Sequence, residues 1–407
     1  MHLKYPISNT HNIQAIISNL VFAFVIPVLT ALPGCSTSPI TAQVQEQPPV
    51  FFPPLPNSPR IQYLDTYSSA ADLHQPASGL VNFILGKDKN NTGVSKPYGS
   101  AIYNGKIYVI DTRGPGYAVF DLVGREFKLV TGSGGGLMQK PINIAIDKNG
   151  TKFITDTGRL QVLAFDTNDR FMRAYGKVGD FKPAGIVVDD DNLYVTDLQK
   201  QQVVIINKLT GNVQSRFGKA GSKPGELFFP TNITIGPNKN LYIADTGNYR
   251  VEEFNVKGVF QHSYGSVGIS LGKFARPKGV ALDRDNRMYV VDAAFENVQL
   301  LDKSGKLLLF FGSPGDAPEN INLPTTVFID YDNVSLFKSY AASGFKIEYL
   351  ILVASQFGPN KVNVFGFGKM EGMEYIDDSK IAPKELKVDD RELPSFSTGD
   401  KQHGQSQ

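Results

Sequence analysis

The sequence predicts an all-β chain, a six-bladed β-propeller of four-stranded antiparallel blades, and three observations predict it. A unit of 42 to 47 residues recurs, opened by Pro97, Pro141, Pro183, Pro230, Pro277 and Pro324. An aspartate ends its second apolar run 14 or 15 residues later, at Asp111, Asp156, Asp197, Asp245 and Asp292. Aromatic-glycine pairs close most units, at Tyr175-Gly176, Phe217-Gly218, Tyr264-Gly265 and Phe311-Gly312. Six registers of one four-stranded unit stack into a ring.

The segment ahead of the ring reads as an export signal. Leu20 to Leu32 is apolar except for Pro27 and Thr30. A bilayer span needs about 20 residues, so the run suits the core of a signal peptide better. It ends in Leu32-Pro33-Gly34-Cys35, which resembles the lipobox of bacterial lipoproteins, and Cys35 is the one cysteine of the chain. The resemblance implies a signal peptide over residues 1–34, lipid on Cys35 and anchorage in the cell envelope. Ser36 in the next position implies the outer membrane. Residues 35–59 carry seven prolines and read as an extended spacer that joins no sheet.

The propeller is assigned to residues 60–368. Its clearest unit is Phe229 to Gly265, with short runs at Ile233-Ile235, Leu241-Ala244 and Arg250-Asn255 and a last run ending at Tyr264. Gly, Asn, Asp and Pro bound each run, as turns between antiparallel strands require. Blade six departs from the pattern. An insertion of about 16 residues lies around Asp332 to Lys346, Ser355 replaces the aspartate, and Lys361 to Phe367 is the last strand. A strand from within Ile61 to Gly86, either Ile61–Asp65 or Val81–Leu85, is expected to pair with Lys361–Phe367 and close the ring, leaving no open edge. Residues 369–407 are polar and are expected to be disordered.

Composition narrows the function. The 407 residues include 41% hydrophobic and 20% charged side chains and carry a net charge of +2, which argues against a nucleic-acid binder. One cysteine excludes a disulfide framework, a cysteine-rich zinc site and an iron–sulfur cluster. Of five histidines, only His74 and His262 fall in folded territory, and His262 is expected on an outer strand.

The motif Leu241-Tyr-Ile-Ala-Asp-Thr-Gly-Asn-Tyr-Arg-Val251, with Gly279-Val-Ala-Leu-Asp283 and Met288-Tyr-Val-Val-Asp292, resembles the NHL-repeat family over residues 80 to 368. The resemblance implies an interaction platform; other propellers of this class are lactonases, hydrolases or amidating lyases. Amidating lyases use clustered histidines, which this chain lacks.

Four further readings follow. The triplets Asp156-Thr157-Gly158 and Asp245-Thr246-Gly247 mimic an aspartic protease, but they occupy one repeated turn and are expected to be structural. A calcium-dependent lactonase is the alternative function. Its ring of candidate ligands two residues after each proline is Gly99, Asn143, Gly185, Asn232, Gly279 and Thr326, with Asn143, Asn232 and Thr326 at the channel mouth and no carboxylate. The acidic turns Asp189-Asp190-Asp191 and Asp283-x-Asp285 are expected as solvated tips on the far face. Lys96, Lys140, Lys182, Arg276, Arg113, Arg159, Lys200 and Arg250 are expected to converge on one rim and attract an acidic envelope protein or assembly. The sequence thus points to a non-catalytic binding scaffold in the cell envelope, without cofactor or metal.

Overall fold

The computed structural model describes residues 48–73 and 92–375. Its strands are the short β-branched and aromatic runs between the repeated turns. Blade one comprises Pro97–Tyr103, Lys106–Asp111, Gly116–Asp121 and Glu126–Val130. Blade two comprises Pro141–Ile146, Lys152–Asp156, Gln161–Phe165 and Phe171–Tyr175, and blade three Pro183–Val188, Asn192–Asp197, Gln202–Asn207 and Val213–Phe217. Blade four is Pro230–Ile235, Leu241–Asp245, Arg250–Phe254 and Phe260–Tyr264; blade five is Pro277–Leu282, Met288–Asp292, Asn297–Leu301 and Leu307–Phe311. Each is an antiparallel meander in which neighbours in sequence are neighbours in the sheet.

Blade six is made from both ends of the ring. Asn322–Asp330, Phe345–Phe357 and Val362–Met370 are joined by Ile61–Tyr67 as the fourth strand. Ile61 faces Phe367 and Tyr67 faces Val362. Of the two closing strands left open by the sequence, the one beginning at Ile61 therefore closes the ring; Val81–Leu85 lies outside the described residues. Two details differ from expectation. Phe51–Phe52, within the proline-rich stretch, adds a fifth strand against Gln62 and Ile61. An edge position tolerates flanking prolines, and Phe52 packs its ring on Phe311 and Phe365 at 6.1 and 6.2 Å. The insertion forms a short helical turn, Val334–Tyr340, whose buried Phe337 meets Tyr67 edge-on at 6.4 Å.

The core lies between blades. Strands such as Lys152–Asp156 and Asn297–Leu301 are buried along their whole length, while the outer Glu126–Val130 is mostly exposed. Between blades five and six, Tyr289, Val298 and Phe311 meet Tyr349, Ile351 and Phe365. Each such side chain contributes about 1.5–3 kcal/mol on burial. The glycine of the aromatic-glycine pair has a conformational reason: Gly265 takes φ +81°, and a Cβ there would approach the fully buried Phe274 to 2.2 Å.

The first strand of each blade lines the central channel, and these strands pack in pseudo-threefold alternation. Gly99, Gly185 and Gly279 each face a larger residue of the next blade, Asn143, Asn232 and Thr326. A Cβ on any of these glycines would come within 2.6–2.8 Å of the neighbour's Cα. Only glycine allows the inner strands this approach, which narrows the channel to a polar septum.

Candidate active site at the channel mouth

The repeated aspartates are backbone clamps. Asp156, fully buried, accepts N–H bonds from Gln139 and Lys140 at 2.7 and 2.9 Å and from Gly158 and Arg159 at 2.9 and 3.0 Å. It thus ties the entry to a blade to the turn between its second and third strands. Asp111 and Asp292 do the same for Ser95–Lys96 and Ala275–Arg276. The two Asp-Thr-Gly triplets belong to this series and do not meet as a catalytic pair. Ser355 takes the clamp's place in blade six, and its Oγ makes no hydrogen bond.

The far-face turns differ in part from the expected solvated tips. Asp190 is exposed and pairs with Lys148 at 2.6 Å, but Asp283 is buried. It accepts bonds from Arg287 Nε at 2.6 Å and Tyr349 Oη at 2.7 Å. His262 stands exposed on an outer strand, and it is the only histidine among the described residues.

Below the septum the channel holds a cavity of about 230 Å³, walled by Ile144, Ile186, Val188, Ile233 and Phe328. Asn143, Asn232, Thr234, Thr326 and Ser100 are its polar residues. Asn143 Oδ1 accepts from the Ile144 amide at 2.9 Å, leaving its Nδ2 without a partner, as is Ser100 Oγ. These are neutral groups, and the two orphans include a pure donor. They do not fit calcium, which takes anionic and carbonyl oxygens. Among the described residues no cluster of three or more His, Cys, Asp or Glu could hold a metal.

The upper mouth, on the face of the opening prolines and clamp turns, is different. It holds a cavity of about 500 Å³ walled by Ile142, Leu198, Phe228, Phe229 and Tyr249, with Tyr98, Thr231, Thr246, Arg276 and Lys278 as its polar groups. Lys278 directly follows Pro277 and is 8% exposed. Its Nζ lies 5.5 Å from the centre of the Tyr98 ring, and no described carboxylate pairs with it. Burial, with help from the Arg276 and Lys96 charges, lowers its pKa to about 8. Burial raises Tyr98 to about 12, against the pull of Arg276.

Two hydroxyls hold the peptide that carries this amine. Thr246 Oγ1 donates to the Pro277 carbonyl at 2.6 Å, and Thr231 Oγ1, 2.6 Å from Thr246 Oγ1 and 2.9 Å from the Lys278 carbonyl, shares its single proton between them. The arrangement offers a fixed, near-neutral amine beside a guanidinium in an apolar-walled pocket. Such an amine can take a proton or attack an electrophile near neutral pH.

The eight rim cations do not act as one set. Arg250 is spent on Asp245, Glu252 and the carbonyls of Ser222, Lys223 and Glu226. Arg159 is spent on the carbonyls of Gly135 and Leu137, and Lys200 on Asp180. Arg113, Lys140 and Lys182 are exposed side chains. Arg276 enters the pocket wall, and Lys96, with its Nζ 5.4 Å from the Phe357 ring centre, acts on Lys278 by charge. Lys278 was not singled out from the sequence. The residue after the opening proline varies from blade to blade, as Tyr98, Ile142, Ala184, Thr231, Lys278 and Thr325, so no repeat signal marks it. The cationic couple Arg276-Pro277-Lys278 on a buried inner strand was the available sign.

No family model matches the chain. A probable peptidyl-alpha-hydroxyglycine alpha-amidating lyase of Caenorhabditis elegans is 24% identical over 147 residues, 33% of this chain and 42% of that protein. The chain thus matches less than half the length of this curated relative. A gluconolactonase of Xanthomonas campestris superposes with a TM-score of 0.50 at 13% identity, over 79% of this chain and 95% of that one. A virginiamycin B lyase of Staphylococcus aureus gives 0.46 at 13% identity, over 66% and 80%. The gluconolactonase shares the fold. The sequence relative is named as a lyase and the same-fold neighbour as a lactonase, which corrects the expectation of a non-catalytic protein: this architecture is one that enzymes carry.

Proposed function

We propose that the chain is an enzyme whose active site is the upper mouth of the channel, and that it acts on a small carboxylate with an apolar body. Lys278 is the reacting amine, Arg276 holds the carboxylate, and Phe228, Phe229 and Tyr249 cover the rest. One observation carries the reading: Lys278 is buried in a ligand-sized cavity without a carboxylate partner among the described residues. An unpaired buried cation destabilises the fold, and such groups are kept where they work. Lyase chemistry is the favoured class, because a near-neutral amine can activate the carbon beside a carboxylate and the sequence relative is named as a probable lyase. The exposed Lys140, Lys182 and Arg113 would steer anions to the mouth.

The test is calorimetric binding of aromatic carboxylates, followed by product analysis on a panel of hydroxy acids and their esters. Lys278→Met is expected to lower turnover by about a hundredfold or more, and Arg276→Met to weaken binding. Carboxylate binding indifferent to both substitutions would end the proposal. We further propose that Cys35 carries the lipid that holds the enzyme in the envelope. Cys35→Ala should then release the protein into the soluble fraction, and unchanged membrane association would refute the anchor.

A further inference from the structure

We infer that Lys278 is a nucleophile toward carbon, and that the pocket takes a 2-oxo acid with an aromatic or branched apolar body, forming an imine with its carbonyl. This rests on the reading of the upper mouth as a ligand pocket and names its substrate class. Four observations carry it. The amine is held without a salt bridge in a cavity of about 500 Å³, so its lone pair faces ligand space once the proton is lost. Its cationic neighbours, Arg276 and Lys96, disfavour the ammonium form by charge, as burial does by desolvation. Arg276 lines the same cavity, so one ligand carrying a carboxylate beside an electrophilic carbon can engage both groups. Phe228, Phe229 and Tyr249 supply an apolar wall, with no acidic side chain among the lining residues to repel an anion.

The step balances without an oxidant or reductant. The nitrogen lone pair attacks the carbonyl carbon, a C–N bond forms, and one amine proton passes to the carbonyl oxygen to give a carbinolamine. The hydroxyl then leaves as water with a proton from solvent, and a protonated imine remains on Lys278. The Thr231 and Thr246 hydroxyls, by holding the Lys278 and Pro277 carbonyls, fix the direction from which the side chain enters the pocket. The imine draws electrons from the adjacent carbon and acidifies its C–H, which is the activation a lyase needs.

The experiment uses the full chain with phenylpyruvate as probe and sodium borohydride as trap, read by intact mass and peptide mapping. Expected is one reduced adduct on the peptide containing Lys278, at least about tenfold above any other lysine, as the depressed basicity of a buried amine implies. Lys278→Arg keeps the charge and should abolish the adduct. Phenyllactate, which has no carbonyl, is the parallel probe and should bind and protect Lys278 from trapping. Phenyllactate binding without a Lys278 adduct would overturn the imine while leaving the pocket reading intact. Failure of both probes to bind would overturn both, and adducts spread evenly over surface lysines would overturn the imine.

Discussion

Thr246 Oγ1 donates a 2.6 Å hydrogen bond to the carbonyl of Pro277, the residue immediately before Lys278. The turn of blade four thereby holds the inner strand of blade five at the point where the buried amine leaves the backbone. Thr246 belongs to an Asp-Thr-Gly triplet whose aspartate is a clamp, so the triplet serves the fold through one residue and the pocket through the next. Thr246→Val is expected to cost about 1 kcal/mol of stability. It should also slow borohydride trapping at Lys278 severalfold without weakening phenyllactate binding. Thr246→Ser should restore the trapping rate; a rate set by stability alone would not follow the hydroxyl.

Lys278→Met is expected to stabilise the protein while removing its chemistry. The folded pKa of about 8 lies below the ordinary value of 10.5. Between those values the unfolded chain binds the additional proton, so stability rises with pH across that window, and at neutral pH the full penalty of the buried charge is present. Removing it should add on the order of 1–3 kcal/mol at pH 7, with the gain fading toward pH 10. Urea unfolding of both proteins at pH 7 and 10 measures it, and a destabilised Met variant would contradict the burial argument.

Glu252 gives the opposite sign. Buried beside Asp245, it is raised to about 7 by burial, with Arg250 Nε at 2.6 Å pulling the other way. The folded state therefore holds a proton between about 4.5 and 7 that the unfolded chain has lost. This group's contribution falls as pH rises through 7. Glu252→Gln should remove that dependence, so the difference between wild type and variant changes from pH 5.5 to 8. A constant difference would refute the raised pKa. The site matters to the pocket because Arg250 also grips the carbonyls of Ser222, Lys223 and Glu226, in the loop leading to Phe228.

Asp156→Asn should destabilise the ring without affecting trapping at Lys278. The buried carboxylate accepts four backbone N–H bonds, and an amide can accept with only one of its two ends. A loss of about 2–4 kcal/mol is expected in the unfolding free energy from denaturant titration, with the adduct yield unchanged in the folded fraction.

Gly185→Ala tests the septum. A Cβ there would lie 2.6 Å from Asn232 Cα, so blades three and four would have to separate. A loss of about 1–3 kcal/mol is expected. The same substitution at Gly179, which has open space around it but φ +84°, should cost about 1 kcal/mol.

The ring was legible in the sequence because its markers have mechanical work in every blade. The opening proline starts an inner strand, the aspartate clamps the blade entry to the second turn, and the aromatic-glycine pair lets a buried side chain such as Phe274 fold beneath. Ser355 and the insertion after Asp330 broke the pattern where blade six is assembled from two ends, and the closing strand followed from the need to pair an edge. The pocket was not legible in the same way. Its walls come from the position after each proline, which no repeat constrains, and from loop aromatics such as Phe228 and Phe229. Asn143 and Asn232, one residue further along the strand, lie in the septum beneath. The rim cations share a place in the repeat, but Arg250 and Arg159 turn inward onto loop carbonyls, which the sequence pattern does not reveal.

The closing strand has a consequence for the pocket. Tyr98 belongs to blade one and Lys278 to blade five, and between them stands blade six, the one blade held together by pairing between distant parts of the chain. Thr325 of that blade donates to the Tyr98 carbonyl at 2.8 Å. Peeling Ile61–Tyr67 away from Val362–Met370 would strip the outer side of blade six and leave the two halves of the mouth joined by that blade's inner contacts with blade one, such as Thr325 on Tyr98. The pairing of the chain's two ends therefore guards the site as well as the ring, and a pull applied near residue 50 is expected to loosen the mouth before the other five blades unfold.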